Sequence, residues 1–409
     1  MDKLNRRFTI AAYVAPPPPC AKNNWDEDLM EKGYRLAKEA GFTLCYGYYE
    51  KWPADKEYVL KALRLAEKTG LQYLISDTDF CSKNRDYDNF IKSDKEYADL
   101  PAFAGHMIWD EPSLSQFEDV VAMKEQYLKL FPDKLFYTNL QPVDSPPYYL
   151  QNGMWTPPAP ADLPYGRYVE AFMEKLHPEV LSYDFYPFRV IGMHQAYFQQ
   201  LSVIHKTARK YDVPFWVYIQ SCTWNTSEAA LPSPNELSWQ VHTSVAYGTQ
   251  GIQYFCFFTP YSNTPENYNV AMVDFYGEPT ALYHAAAKAN HFIHEAWQEL
   301  QDAKHVGMIV HGGSPAPVPE EDLVQRPEVK KISGDLLIGV YEKAEQILLY
   351  VVSNRTEKTQ QKIRLEFSGI NQYTVLAGGT KTVHSKEHYS GILQGGDAVL
   401  IILLDAPRA

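Results

Sequence analysis

The sequence predicts an α/β chain, a TIM (β/α)₈ barrel followed by a C-terminal antiparallel β-sandwich. Three observations carry this. Eight short runs rich in Val, Ile, Tyr and Phe recur through the first three hundred residues, with helical or loop segments between them. Each run is almost continuously apolar, as a strand covered by helices on one face and by a packed interior on the other must be. Beyond residue 304 the pattern changes to short strands separated by Gly, Asn and charged turns, which is how an antiparallel sandwich reads.

The first run is FTIAAYVA, Phe8 to Ala15, followed by four prolines. A helical stretch from Glu27 to Ala40 ends at Gly41, and FTLCYGYY (Phe42 to Tyr49) is the second strand. Lys56 to Lys68 is helical, with Gly70 at its C-terminal end as helix caps favour. LQYLISDTDF is the third strand, and FAGHMIWDEP (Phe103 to Pro112) is the fourth. A helix from Leu114 to Phe131 follows. KLFYTNLQP, VLSYDFYPF and PFWVYIQSCTW are the fifth, sixth and seventh strands. Asn235 to Tyr247 is helical, GIQYFCFFTP is the eighth strand, and a last helix runs from Thr280 to Leu300. Eight is the number that closes a barrel. The rival, an open doubly wound sheet, usually carries a glycine-rich phosphate turn, and the sequence has no GxGxxG. The expected domains are 1–304 for the barrel and 305–409 for the sandwich. The sandwich is expected to pack on the barrel, since it shows no aromatic triplet of a carbohydrate-binding module.

Composition narrows the function. Of 409 residues, 45% are apolar and 22% charged, enough for a large core without disulfides. A net charge of −12 argues against nucleic acid or an anionic membrane as partner, because both need clustered Lys and Arg. The five cysteines form no CxxC pair and the twelve histidines no HxH, so no metal or cofactor is expected. The N-terminal apolar run is too short for a secretory signal, and no run reaches the roughly 18–20 apolar residues of a membrane helix. The expectation is a cytoplasmic protein. Thirty Tyr, nineteen Phe and eight Trp suit either a large core or a site that stacks on the C–H faces of sugars.

Barrel enzymes build their sites from the C-terminal ends of the strands. Read there, the sequence offers Tyr49 and Trp52, then Asp77, then Trp109, Asp110 and Glu111. After these come Asn139 and Gln141, then Tyr183, Asp184 and Tyr186, then Gln220 and Trp224, and last Phe257. Glycoside cleavage needs one carboxylic acid to protonate the leaving oxygen and a second anionic group at the sugar. Asp110 and Glu111 supply a pair. Neighbours on a strand face opposite sides, so both reach the site only if the strand breaks, and Pro112 favours a break. Without function, the pair is a solvated acidic strand end.

Three stretches resemble the large superfamily of barrel glycoside hydrolases with the acid/base Glu at the end of the fourth strand. WDEP (Trp109 to Pro112) looks like the fourth-strand motif, and SYDFYPF (Ser182 to Phe188) looks like the sixth strand of β-galactosidase-like members. AYGTQGIQYFCF, with DFYGEPTALY (Asp274 to Tyr283) after it, looks like the eighth strand and the helix that follows. The resemblance implies a glycoside hydrolase with a carbohydrate substrate and Glu111 as general acid/base. It also implies a nucleophilic Glu at the end of the seventh strand, where this chain has Gln220. An amide cannot be that nucleophile. Asp184 or Glu228 can supply the second carboxylate. Alternatively Asp110 orients a substrate 2-acetamido group that attacks in its place, as the adjacent DE pair of hexosaminidase-like members implies, with Tyr183 or Tyr186 beside it. A fourth reading is a carbohydrate-binding barrel that has lost catalysis. A metal-dependent barrel hydrolase or lyase is disfavoured by the histidine pattern.

Overall fold

The computed structural model of the chain describes residues 7–20, 24–50, 55–76, 96–153, 161–224, 228–260 and 268–404. The eight barrel strands are β1 (Thr9–Ala12), β2 (Leu44–Tyr46), β3 (Gln72–Ser76), β4 (Phe103–Asp110), β5 (Leu135–Asn139), β6 (Leu181–Tyr183), β7 (Phe215–Gln220) and β8 (Gly251–Phe255). All pair in parallel, in the order β5-β4-β3-β2-β1-β8-β7-β6. A parallel bridge between Leu140 and Tyr183 joins the two ends, with Leu140 N donating to Ser182 O at 2.9 Å. The fold is therefore the predicted barrel.

Its helices among the described residues are α1 (Glu27–Glu39), α2 (Lys56–Thr69), α3 (Phe117–Leu130), α4 (Pro147–Asn152), α5 (Tyr165–Leu176), α6 (Tyr197–Lys210), α7 (Pro234–Ala246) and α8 (Ala281–Leu300). Local chemistry sets their ends. Asp26 caps α1 by accepting from Leu29 N at 2.8 Å, and Ser233 with Glu236 forms a capping box on α7 ahead of Pro234. Helices α4, α5 and α6 fall where the sequence reading left unnamed connecting segments. None of the described helices is long and apolar enough to cross a membrane.

Two apolar layers result. The interior is filled by side chains such as Leu44, Tyr46, Leu74, Met107, Tyr137 and Trp216. The outer layer, between strands and helices, is the largest core of the molecule. Within the interior sits a polar network. Gln253 of β8 accepts from Tyr137 Oη at 2.7 Å and from Tyr46 Oη, and donates to Ser182 Oγ at 2.9 Å. Tyr137 Oη and Ser182 Oγ are 2.6 Å apart. A buried network whose members satisfy one another fixes side-chain orientation at little desolvation cost.

The C-terminal part is built of antiparallel sheets. These are β9 (Lys304–His311), β10 (Val329–Ser333), β11 (Leu336–Lys343), β12 (Gln346–Ser353), β13 (Gln360–Phe367), β14 (Gln372–Ala377), β15 (Thr380–His384), β16 (His388–Gln394) and β17 (Ala398–Leu404). Six form one sheet, β9-β11-β12-β17-β14-β15, and three form another, β10-β13-β16. A separate apolar core lies between them. The stretch KKISGDLLIGVYEK, read from sequence as one strand, divides at Gly334 (φ +109°) into β10 and β11, which enter different sheets. Only a glycine turns the chain there without strain.

The sandwich rests on the barrel through α7. Trp239 Nε1 donates to Asn354 Oδ1 at 2.9 Å, and His242 Nδ1 meets Tyr350 Oη at 2.7 Å. Gly339 lies so close that a Cβ there would stand 2.2 Å from Ala246 O. These contacts are buried, in line with a packing role for this sheet.

Candidate active site

A bulge in β4 decides which side chains reach the barrel mouth. The β4–β5 register pairs Met107 with Tyr137, Trp109 with Thr138 and Asp110 with Asn139, so Ile108 is the extra residue. In-register residues on parallel strands face the same side. Met107 and Tyr137 point inward. Without the bulge Trp109 would follow them inward and Asp110 would face the helices. With it, the faces exchange, because one extra residue flips everything after it. Trp109 is consequently 6% exposed in the outer core, and Asp110 opens into the mouth.

Glu111 comes next, with φ +49°, a left-handed conformation that a non-glycine residue adopts only when its surroundings impose it. Here Glu111 N donates to Asn139 O at 2.8 Å, and Gln141 Nε2 donates to Glu111 O and to Tyr149 O, each at 3.3 Å. Tyr168 Oη donates to Pro112 O at 2.6 Å. This is the strand break by which two adjacent acids both face the site.

On β6, Ser182 is inward and Tyr183 outward, so Asp184 is inward again. Asp184 is 8% exposed and accepts from Asn139 Nδ2 at 2.8 Å. Asn139 Oδ1 in turn accepts from Ser182 Oγ at 2.9 Å. The interior network thus runs without interruption to the acids, and Ser182 dictates which way the Asn139 amide points. The Asp184 carboxylate raises the proton affinity of Glu111, so the two acids border one space.

Electrostatics follow from this crowding. Burial, then the charges of Asp184 and Asp110, hold the Glu111 carboxyl well above the usual carboxylate range. Burial and the Asp110 charge push Asp184 up to about 7, against the Asn139 bond, which lowers it. Asp110 rises to about 6 through desolvation, again opposed by Asn139. Asp110 is exposed by surface area yet desolvated by the protein mass around it. Both hold for a group on the floor of a concave cleft. Near neutral pH Glu111 keeps its proton, Asp110 is mostly ionised and Asp184 is part-protonated, the sharing expected of neighbouring carboxyls.

Facing the acids is an aromatic wall from β8 and the loops after β6, β7 and β1. Tyr186 and Trp224 meet at 4.7 Å, and each contacts Phe255, at 5.3 and 5.4 Å. Tyr13 stacks on Phe255 at 5.4 Å. The Asp110 charge is felt by the hydroxyls of Tyr13, Tyr186 and Tyr218, so acids and aromatics border one space. Tyr13 and Phe255 were missed in the sequence because the strand ends were read two or three residues further along.

The remaining candidates fall elsewhere. Tyr49 is half-buried in the loop after β2, and Trp52 and Asp77 lie outside the described residues. Tyr183 is 1% exposed in the outer core, since its strand alternates Ser182 in, Tyr183 out, Asp184 in. Phe257 is 0% exposed and packs edge-on to Phe42 at 5.0 Å. Asn139 and Gln141 are buried at 3% and 0% and hold the acids' frame, where the sequence suggested substrate contact. Gln220 is also fully buried. Its Oε1 accepts from Phe188 N at 2.9 Å, and its Nε2 donates to Phe188 O at 2.9 Å and Ala230 O at 2.7 Å. That amide ties the loops after β6 and β7 together and, fully buried, presents no group to a substrate. Glu228 is exposed on the loop beside Val190. Glu50, a further acid at the end of the second strand and the alternative candidate to Glu111, is buried and accepts from Tyr73 Oη, and burial pushes it up to about 8.

No family model matches the chain, and no curated protein matches it in sequence. Solved structures do match. Over 98% of this chain and 100% of the other, it is similar to a β-galactosidase from Bacillus circulans sp. alkalophilus, with TM-score 0.64 and 9% identity. A GH42 β-galactosidase from G. stearothermophilus, in a catalytic-mutant form, gives TM-score 0.64 at 10% identity over 97% and 98% of the two chains. A β-galactosidase from the Antarctic haloarchaeon Halorubrum lacusprofundi gives TM-score 0.53 at 14% identity over 73% of this chain. This chain spans only 59% of that enzyme's length. These likenesses show the fold, a (β/α)₈ barrel followed by antiparallel sheets.

Proposed function

We propose that the chain is a glycoside hydrolase in which Glu111 is the general acid and Asp110 orients a substrate 2-acetamido group that attacks the anomeric carbon. One observation carries the reading: Glu111, raised by burial and by the charges of Asp184 and Asp110, shares one arc of the mouth with those acids, while the β7 position of the usual opposing carboxylate is a buried amide, Gln220. Enzymes with two opposed carboxyls need about 5–5.5 Å between them for retention and about 6.5–9.5 Å for inversion. Here the β7 partner of such a pair is an amide, so β4 and β7 do not form that opposed pair.

The reaction then runs with the groups present. Glu111 gives its proton to the glycosidic oxygen as the C–O bond breaks. The acetamido oxygen closes on the anomeric carbon, and Asp110 accepts from the acetamido N–H and balances the charge that develops. Water then opens this cyclic intermediate and returns a proton to Glu111. Asp184, held by Asn139, raises the proton affinity of Glu111 between turnovers. Tyr186, Trp224 and Phe255 stack on the sugar. We assign this site to a barrel unit spanning 1–304, with 305–409 as a β-sandwich that supports it.

Replacing the acetyl group of a nitrophenyl N-acetylhexosaminide by fluoroacetyl, difluoroacetyl and trifluoroacetyl groups tests the attack. Each fluorine withdraws electrons from the attacking oxygen, so kcat should fall steeply along the series. A flat series excludes substrate assistance and leaves Asp184 as the second carboxylate. The occupation of the β7 site by Gln220 also supports a carbohydrate-binding barrel without catalysis. That reading gains if every nitrophenyl glycoside binds and none is cleaved.

A further inference from the structure

The aromatic wall does not stop at the acids. From Tyr13 it continues to Tyr48 at 6.0 Å, to Tyr49 at a further 4.9 Å, and to Trp25 at 5.4 Å. Trp25 contacts Phe275 at 5.1 Å, and Phe275 contacts Tyr276 at 5.8 Å. Six rings from the loops after β1, β2 and β8 thus form an unbroken track leading away from the acids. Trp25, 5% exposed, is its buried footing, with Nε1 donating to Phe275 O at 3.1 Å. Tyr13, Tyr48, Tyr49 and Phe275 keep part of their surface open, and Tyr276 is 77% exposed.

The track ends in a cavity of about 530 Å³ between the start of α1 and the loop after β8. Rings make up part of its lining. Most of the rest is charged: Asp26, Asp28, Glu31, Lys32 and Arg35 border it. Sugars combine flat apolar faces with a rim of hydroxyls, and this lining offers a counterpart to each.

We infer that the site takes an oligosaccharide of several units, with a distal subsite at Tyr276, Phe275 and the α1 N-terminal cavity. The inference rests on the carbohydrate reading of the acid trio and adds chain length as the determinant of affinity. The ring at Tyr276 stacks on a sugar remote from the bond to be cleaved. Lys32, paired with Glu278 at 2.7 Å, and Asp28 lie where hydroxyls of that sugar would be bound.

Binding tests this without requiring turnover. The intact protein and a Tyr276→Ala variant are titrated calorimetrically with ladders of two to six units of chitin-, xylan-, mannan- and galactan-derived oligosaccharides. In one ladder, Kd of the intact protein should tighten between two and four or more units. Tyr276→Ala should weaken the long members about fivefold to tenfold, the worth of one aromatic stack, and remove the advantage of length. A Trp25→Phe variant, which keeps a ring but loses the bond to Phe275 O, should weaken the same members less. Binding of long chains without cleavage upholds the subsite and refutes the hydrolase reading. Cleavage with Kd and KM independent of length refutes the subsite and leaves the hydrolase reading standing. Failure of all four ladders to bind overturns the subsite, and turnover of nitrophenyl glycosides then judges the hydrolase reading separately.

Discussion

Asp184→Asn should make the protein more stable at alkaline pH while impairing the site. Asp184 titrates near 3.8 in an unfolded chain and near 7 in the fold, chiefly because it is buried and faces the Asp110 charge. The sign follows from proton uptake. Below pH 3.8 both states hold the proton and Asp184 costs nothing. Between 3.8 and 7 the folded state keeps a proton that the unfolded state has released, so folding loses stability with each step up in pH. Above 7 the penalty is complete. At about 1.4 kcal/mol per pH unit it amounts to about 4 kcal/mol, or about 2 kcal/mol if sharing with Glu111 absorbs half. Asparagine removes the charge, and its Oδ1 still accepts from Asn139. For 409 residues a gain of that size raises Tm by roughly 2–5 °C. Calorimetric melts of the native and Asp184→Asn proteins at pH 4, 6 and 8 measure it. The gain should be near zero at pH 4 and largest at pH 8. A variant less stable at pH 8, or one whose gain ignores pH, refutes the claim that Asp184 is a desolvated member of an acid cluster.

Other expectations follow from single contacts. Glu50→Gln should flatten the pH dependence of stability between about 5 and 8, since Glu50 is raised by burial and loses its favourable contribution as pH climbs through about 8; parallel melts check this. Ser182→Ala frees the Asn139 amide to rotate, and a lost bond to the charged Asp184 is worth about 1.5–3 kcal/mol, so the acidic limb of the kcat/KM profile should move up by about 1–2 pH units with KM little changed. Gly339→Ala drives a methyl into Ala246 O and should cost about 1–3 kcal/mol in urea unfolding, lost where the sandwich meets α7.

The barrel was legible because its strands are buried on both faces and leave apolar runs that no helix of this length distribution imitates. The acids Asp110, Glu111 and Asp184 were legible because strand ends are where a barrel puts its chemistry. Orientation was not. Whether Trp109 or Asp110 enters the mouth depends on one extra residue at Ile108, and nothing in the run GHMIWDE marks a bulge. Gln220 read as a substrate contact because its partners, Phe188 and Ala230, are distant or irregular in sequence. Asn139 and Gln141 were picked out for the right reason, polarity at a strand end, but their amides face the acids' frame. The division at Gly334 was hidden inside a continuous strand-like run, although a glycine followed by Asp335 is a turn signal.

The most direct test of the central claim is the dependence of rate on leaving group in the Glu111→Gln protein. Glutamine keeps the shape and the Gln141 and Asn139 backbone bonds but cannot donate a proton to the leaving oxygen. N-acetylhexosaminides with poor, alkyl-like leaving groups should lose about 10²–10⁴-fold in kcat/KM, the usual worth of general acid catalysis. Dinitrophenyl N-acetylhexosaminides, which leave without protonation, should lose far less, so a plot of log kcat/KM against leaving-group pKa should steepen. Equal losses on all leaving groups, or full activity of Glu111→Gln on an alkyl glycoside, would contradict the assignment of Glu111 as the acid.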